Sequence, residues 1–425
     1  MDTESTASPR KDPYVALRFP EFRAFLLMRF FLTYGYQIQA VVIGWYIYHL
    51  TRDPLSLGLI GLSEAIPAIG IALYGGYVAD KSEKTRLLKF IIGGMFLCSA
   101  ILYLITLPSL TRFIGLGHLV AVIYVMIFCI GICRGFMGPA TFSLMALIIP
   151  REHYPNSSTW NSTGFQIASI AGPATGGLIY AYGGVSITFL LILCFILASF
   201  CALCFIRKHP PHYMPRESIF ASLSTGIRFV FKNRMMLGAM SLDMFSVFFG
   251  GAVALIPVIA SEVLHVGAKE FGMMRAAPAI GAVLTMFIMA RHSPMNKPWR
   301  NLLIAVTGFA ISIISYGLSR NFYLTLAFLF CEGAFDSISV VIRSTIMQLL
   351  TPDDMRGRVS AVNSMFIGSS NEIGAFESGL TARLMGTVPA VVFGGSMTIL
   401  VVTITYLKTK MLVPLGLKEI HEGKS

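Results

Sequence analysis

Apolar runs of about 20 residues, the length a helix needs to cross the hydrocarbon core of a bilayer, recur twelve times along this 425-residue chain. In lipid every backbone N–H and C=O must be satisfied within the protein, so a chain built of such runs folds as a bundle of spanning helices. The expected fold is therefore all-α, a polytopic membrane protein with twelve transmembrane helices in two six-helix bundles. The first six spans are read at 21–50, 55–79, 87–107, 119–149, 157–182 and 186–206. The second six are read at 235–263, 271–290, 301–318, 322–350, 359–384 and 388–407. With 55% hydrophobic residues, 13% charged residues and a mean hydropathy of +0.71, a soluble domain of this length is excluded.

The two sets of spans are related. Shifted by 202 positions, Phe128, Cys129, Gly131, Met145, Leu147, Pro150, Ser158, Asn161, Ser162, Gly172, Gly177, Leu178 and Gly184 fall on identical residues, from Phe330 to Gly386. Composition alone would give roughly four identities over that stretch. Arg134 and Asp336 occupy matching positions in the repeat, each about 15 residues from either end of its span and so near the midplane at 1.5 Å per residue. Charges at that depth are costly and face a cavity or a partner. Desolvation raises the pKa of a carboxylate and a nearby cation lowers it. Asp336 is accordingly expected to change proton occupancy with the state of the cavity, with Arg134 as its counter-ion or as an anion hook.

The net charge of +12 lies mainly between spans, which removes nucleic acid as a partner and leaves the bilayer. With both termini cytoplasmic, only Arg52, Arg112, Lys269 and Arg320 lie outside, and Arg29, Arg134, Arg275, Arg343 and Arg383 lie within spans. The positive-inside rule fixes that orientation. Trp45, Tyr46 and Tyr48 then end span 1 at the outer interface, where amphipathic rings are favoured. The organisation reads as a tail (1–20), a bundle (21–206), a cytoplasmic linker (207–234), a second bundle (235–407) and a tail (408–425). The linker carries Pro210, Pro211 and Pro215 and an amphipathic run, 219–231, expected to lie at the membrane interface. No cleaved targeting sequence is expected, because the first apolar run far exceeds a signal-peptide core.

Other chemistries gain no support. The seven cysteines sit inside apolar runs without metal-ligand spacing, and the eight histidines are scattered, so neither a disulfide framework nor a metal site is expected. No Gly-rich loop ending in Lys-Ser or Lys-Thr follows a strand, which argues against nucleotide-driven work.

The segment Gly76-Tyr77-Val78-Ala79-Asp80-Lys81-Ser82-Glu83-Lys84-Thr85-Arg86 resembles the loop between spans 2 and 3 of the major facilitator superfamily, with Glu83 where that family usually has Gly. Gly76 lets helices approach, while Asp80, Lys81, Lys84 and Arg86 form a breakable charge network that would gate the cavity. Arg134-Gly135-Phe136-Met137-Gly138 in span 4 is similar to the family's Arg followed four residues later by Gly. Gly172-Pro173-Ala174-Thr175-Gly176-Gly177 in span 5 is similar to its antiporter motif, with Ala168 at the upstream glycine position. At finer scale Gln37-Ile38-Gln39, the segment 61–67 and the segment 352–364 resemble the enterobactin-exporter branch.

That resemblance implies spans 1, 4, 7 and 10 around a central cavity. The charges there are Arg29, Arg134, Asp243, Glu332, Asp336 and Arg343, with Gln37 in the polar stripe of span 1. Glu332, Asp336 and Arg343 share one helical face. Cavity lining and static pairing between helices both remain open for this group. Glu64, one turn before Pro67, is the second proton candidate. Glu372 and Glu377 have weaker cases, with Asn371 beside Glu372 suggesting a hydrogen-bonded packing site, and Arg275 reads as a side chain that snorkels to the interface. The implied function is a secondary active exporter of an amphipathic small molecule, siderophore or drug-like, driven by the proton gradient without a cofactor. It would be a multi-pass protein of the bacterial inner membrane and a monomer. The alternatives are a facilitator or importer of a small metabolite, or a lipid flippase.

Overall fold

Helix-starting signals mark where the spans begin. Span 1 (Pro20–Thr51), span 2 (Pro54–Lys81) and span 9 (Pro298–Leu318) open on proline, whose fixed φ suits the first turn and whose missing N–H has no helical partner there anyway. Asp53 caps span 2 by accepting from Leu55 N at 3.0 Å. Glu83 caps span 3 (Lys84–Ile105) by accepting from Thr85 N and Arg86 N at 2.9 and 3.0 Å, so the acid in the place of the family's glycine satisfies two helix-end donors. Asn233 caps span 7, and Asn321 caps span 10 (Phe322–Leu350).

The computed structural model describes residues 14–111, 113–208, 219–352 and 355–416. Arg112, the linker prolines Pro210, Pro211 and Pro215, and the tail segments 1–13 and 417–425 lie outside the described residues. Span 4 is Leu116–Ile148. Spans 5 and 6 form one helical segment, Tyr154–Cys204, interrupted at Gly184. Span 7 is discontinuous: Arg234–Phe249 is followed by a 3₁₀ stretch (Gly251–Leu255), a short helix (Ile256–Val258) and a π turn (Ile259–Val263). Span 8 is Ala268–Arg291, span 11 Arg356–Met385 and span 12 Thr387–Lys408. Among the described residues ten helices are long and apolar enough to cross a membrane, the spans 5 and 6 segment counting as one. Span 11 is long enough but too polar, carrying Asn371, Glu372, Glu377 and Arg383. The architecture is all-α, two six-helix bundles.

Equivalent helices pack alike in each bundle: span 2 on span 4 as span 8 on span 10, and span 1 on span 5 as span 7 on span 11. Glycines of the repeat set these contacts. A Cβ on Gly131 would meet Glu64 O and Pro67, and one on its counterpart Gly333 would meet Pro278 O. The bundles touch where span 5 crosses span 8 and where span 2 crosses span 11. Gly177 lies against Gly272 at the first crossing and Gly379 against Gly58 at the second. Small residues that let backbones approach are what hold helices together in lipid, where there is no hydrophobic drive between them.

Spans 1 and 5 both begin on the side of the chain ends, the terminal side, joined there by Ala16 N donating to Asn156 Oδ1 at 3.1 Å. On the opposite, distal side the bundles are tied by side chains. Tyr48 donates to Glu262 in the π turn, Arg52 donates to Ser261 at 3.0 Å, and Arg383 pairs with Asp53 at 3.3 Å. The aromatic end of span 1 therefore does not rest in the interface as expected. Tyr48 is buried, and Trp45 stacks on Phe271 of span 8 with ring centroids 4.4 Å apart. The linker helix, Ile219–Lys232, also departs from expectation: Val230 packs with Met236, Met355, Val359 and Val362, so one face docks on spans 7 and 11 instead of lipid.

Gly184 (φ 69°) and Gly386 (φ 92°), counterparts in the repeat, form the distal turns between spans 5 and 6 and between spans 11 and 12. With ψ at −175° and 156° both occupy backbone space open essentially to glycine alone. Gly184→Ala and Gly386→Ala are each expected to lower stability by about 1–3 kcal/mol, read as a lower melting temperature of the detergent-solubilised protein.

Candidate functional site

Between the bundles lies a cavity of about 520 Å³. Its walls come from span 1 (Tyr36, Gln37), span 2 (Glu64), span 5 (Pro173), the broken part of span 7 (Gly250, Gly251), span 8 (Arg275), span 10 (Glu332, Asp336) and span 11 (Asn371, Glu372). Toward the terminal side a larger vestibule of about 1490 Å³ follows, sharing Ile170 with it. Its lining is hydroxyl, amide and apolar: Ser158, Ser162, Thr163 and Gln166 on span 5, Ser344 and Gln348 on span 10, Asn363 on span 11, with Phe142, Met286 and Phe287. The bundles are sealed on the distal side and parted on the terminal side.

Arg134, beside the cavity wall, joins two of its carboxylates. Its Nη1 donates to Glu64, which the Tyr36 hydroxyl also bonds at 2.5 Å. The same nitrogen reaches Tyr36 Oη at 2.7 Å and Glu372 Oε1 at 3.3 Å, and the guanidinium lies over the Tyr36 ring, 4.6 Å from its centroid. Glu64 and Arg134 belong to the first bundle and Glu372 to the second, so one guanidinium is shared across the interface. This replaces the expected pairing of Arg134 with Asp336. Asp336 and Glu332 line the opposite wall, where Glu332 is buried with Oε2 unbonded and Arg275 has an unbonded, buried Nε.

The two walls are related with their charges exchanged. Glu64 stands three residues before Pro67, and Arg275 three before Pro278. Arg134 and Asp336 are counterparts in turn. The acid–base pair of spans 2 and 4 thus recurs as base and acid on spans 8 and 10.

The other expected site residues go elsewhere. Asp243 and Arg343 are buried against each other as an ion pair between spans 7 and 10 and line neither cavity. Arg29 donates to Thr141 Oγ1 at 2.8 Å, linking spans 1 and 4, also away from both cavities. For these three, static pairing is the observed role. In the loop after span 2, Lys81 bonds Tyr77, and buried Lys84 donates to Ala79 O and to Ser82 O. Arg86 is exposed over Phe90. Gly76 and Asp80 are helical, but what their side-chain positions meet lies outside the described residues. Gly172 and Gly176 pack on Gln37 and Ile38 of span 1, Gly177 makes the crossing to span 8, and Pro173 faces the cavity.

Glu372 and Arg275 both line the cavity, against the packing and snorkelling roles expected of them. Arg275 does not snorkel. Its spacing from Pro278, matching that of Glu64 from Pro67, is the signal that marks it. Among the described residues no cluster of His, Cys, Asp and Glu fits a metal.

Removing one partner of a buried ion pair strands the other charge. Arg134→Ala is expected to cost about 3 kcal/mol, the lower end for such pairs, because the Arg134 side chain is 32% exposed. Adding Glu64→Gln should recover a large part of the loss, as read from melting curves of the two variants.

A family model described as transmembrane secretion effector matches residues 11–416. The chain is 24% identical over 379 residues to the enterobactin exporter EntS of Shigella boydii, covering 87% of each chain. To the enterobactin exporter EntS of Citrobacter koseri it is 24% identical over 391 residues, covering 89% of this chain and 90% of that one. Among solved structures it is similar to a POT family transporter in complex with a thioalcohol-conjugated peptide (TM-score 0.69, 13% identity, 92% and 96% of the two chains). It is also similar to a bacterial homologue of the human lysosomal transporter Spinster in an inward-facing and occupied conformation (TM-score 0.68, 13% identity, 94% and 98%).

Proposed function

Since the chain belongs to the transmembrane secretion effector family, membrane transporters of the major facilitator type and not enzymes, we propose that it exports an amphipathic small molecule in exchange for protons. The observation that carries the reading is the charge balance of the cavity. Four carboxylates (Glu64, Glu332, Asp336, Glu372) and the Arg275 guanidinium line it, and Arg134 reaches Glu64 and Glu372 from beside the wall. Fully ionised, the site would hold two negative charges without a partner, and an uncompensated charge at bilayer depth costs several kcal/mol. Protons relieve that cost when the cavity is closed, and water relieves it when the cavity is open.

The cycle follows from alternating access. With the terminal side open, cargo enters through the vestibule and reaches the charged wall. Closing there and opening distally requires span 11 to withdraw from span 2, which parts Glu372 from Arg134. Arg134 keeps Glu64, within its own bundle, while Glu372 is released to bind a proton. Asp336, with no ion pair, is the second group whose proton occupancy can follow the cavity. The basic loops favour the cytoplasm for the terminal side and so both ends inside, and the bacterial exporter relatives support the inner membrane. The apolar and aromatic surfaces of the vestibule beside its hydroxyls and amides suit cargo of mixed character, and the names of the exporter relatives favour a siderophore within that class. The reading needs no cofactor and no second subunit.

Flux in sealed vesicles under imposed pH gradients tests the proposal. Transport should run toward the acidic compartment when that compartment faces the distal side, and it should reverse with the gradient. Asp336→Asn should abolish gradient-driven accumulation while folded protein stays in the membrane. Unchanged coupling in that variant overturns the role of Asp336. Flux indifferent to either gradient makes the protein a facilitator, and movement of labelled phospholipid without soluble cargo makes it a flippase.

A further inference from the structure

We propose that spans 9, 10 and 12 hold a specific anionic phospholipid on the outer surface of the second bundle, at the terminal side. A groove of about 440 Å³ lies there, away from the transport cavity, lined by Ile304, Thr307, Gly308, Ile311, Phe335 and Tyr406 among others. It faces outward: Ile304, Ile311 and Tyr406 are 53, 52 and 45% exposed. Of the hydroxyls in its wall, Thr307 donates to Leu303 O at 2.8 Å and Thr403 to Ile399 O at 2.8 Å, each within its own helix, while Tyr406 brings the third. A mostly apolar concavity in the outer surface, with both threonine hydroxyls satisfied within their helices, is shaped for a hydrocarbon chain.

The end of the groove supplies the headgroup chemistry. Buried Trp299 donates from Nε1 to Thr409 Oγ1 at 2.8 Å, fastening the start of span 9 to the end of span 12. Leu412 closes the same corner by packing with Trp299 and Leu302. That one contact gathers four cations, Lys297 and Arg300 beside Trp299 and Lys408 and Lys410 beside Thr409, all exposed. Among the described interactions of these four is Lys410 Nζ over the ring of Tyr406, 5.9 Å from its centroid, and Tyr406 also lines the groove. Cationic corner and apolar slot are therefore continuous through Tyr406. A polar headgroup without net charge would use the slot and leave the cations idle. An anionic phospholipid uses both, with phosphate at the lysines and an acyl chain along spans 9 and 12.

The test is titration of the detergent-solubilised full chain with dioleoylphosphatidylglycerol or dioleoylphosphatidylcholine, with bound lipid counted by native mass spectrometry. The wild type should saturate with the anionic lipid at a clearly lower concentration than with the zwitterionic one. Lys408→Gln with Lys410→Gln should raise the half-saturating concentration of the anionic lipid about 30-fold, each cation near an anionic lipid being worth about 1 kcal/mol, and leave the zwitterionic lipid unaffected. Thr403→Phe, which fills the slot and keeps the charges, should weaken both lipids. Equal affinity of the wild type for the two lipids, or an unchanged preference in the double lysine variant, overturns the proposal. Competition by glycerol 3-phosphate as effective as that of the lipid also overturns it, since the site would then be one for soluble phosphate.

Discussion

The structure turns on Arg134, a cation placed at bilayer depth and satisfied by acids from both bundles. A guanidinium there is costly unless it is paired, and its fork of donors accommodates several acceptors at once. Glu64 and Tyr36 hold it within the first bundle, while Glu372 reaches it from the second. Holding the bundles together and loading the cavity with charge are thus parts of one interaction. A pair confined to a single bundle, such as Asp243 with Arg343, fixes helix packing and is indifferent to how the bundles stand.

Around that charge the duplicated glycines decide geometry. Gly131 and Gly333 bring spans 4 and 10 onto the proline turns of spans 2 and 8. That contact seats Glu64 near Arg134 in one bundle and Arg275 on the wall shared with Asp336 in the other. Duplication preserved the backbone contacts and exchanged the charges they carry, so a near-symmetric scaffold encloses an asymmetric site. The broken part of span 7 adds to this asymmetry: its irregular backbone lines the cavity at Gly250 and Gly251 and ends in the π turn that presents Glu262 to Tyr48. Non-helical backbone at membrane depth is tolerated where it borders protein or a water-filled space.

Much of this was legible in the residues, for physical reasons. Run length fixes the spans because the bilayer has one thickness, and burial cost identifies Arg134, Glu64 and Asp336 because unpaired charge is not left in lipid. Partner choice was not legible. Equivalence in a repeat says that two residues occupy matching places in their bundles, which sets them on opposite walls and not in contact. Glu372 looked like packing because span 11 is polar throughout, and that polarity is itself the mark of a helix turned toward the cavity. Tyr48 has the composition of an interfacial anchor, yet a ring with a hydroxyl also suits a seal between bundles. The sequence around it does not distinguish the two.

Among the described residues that line the vestibule none carries a formal charge. A molecule arriving from the terminal side is sorted first by its size and by how well its surface matches hydroxyls, amides and aromatic edges. Electrostatic discrimination begins only beyond Ile170, where the dielectric has fallen and each charge weighs most. Selection is therefore ordered in space: shape at the mouth, valence at the floor.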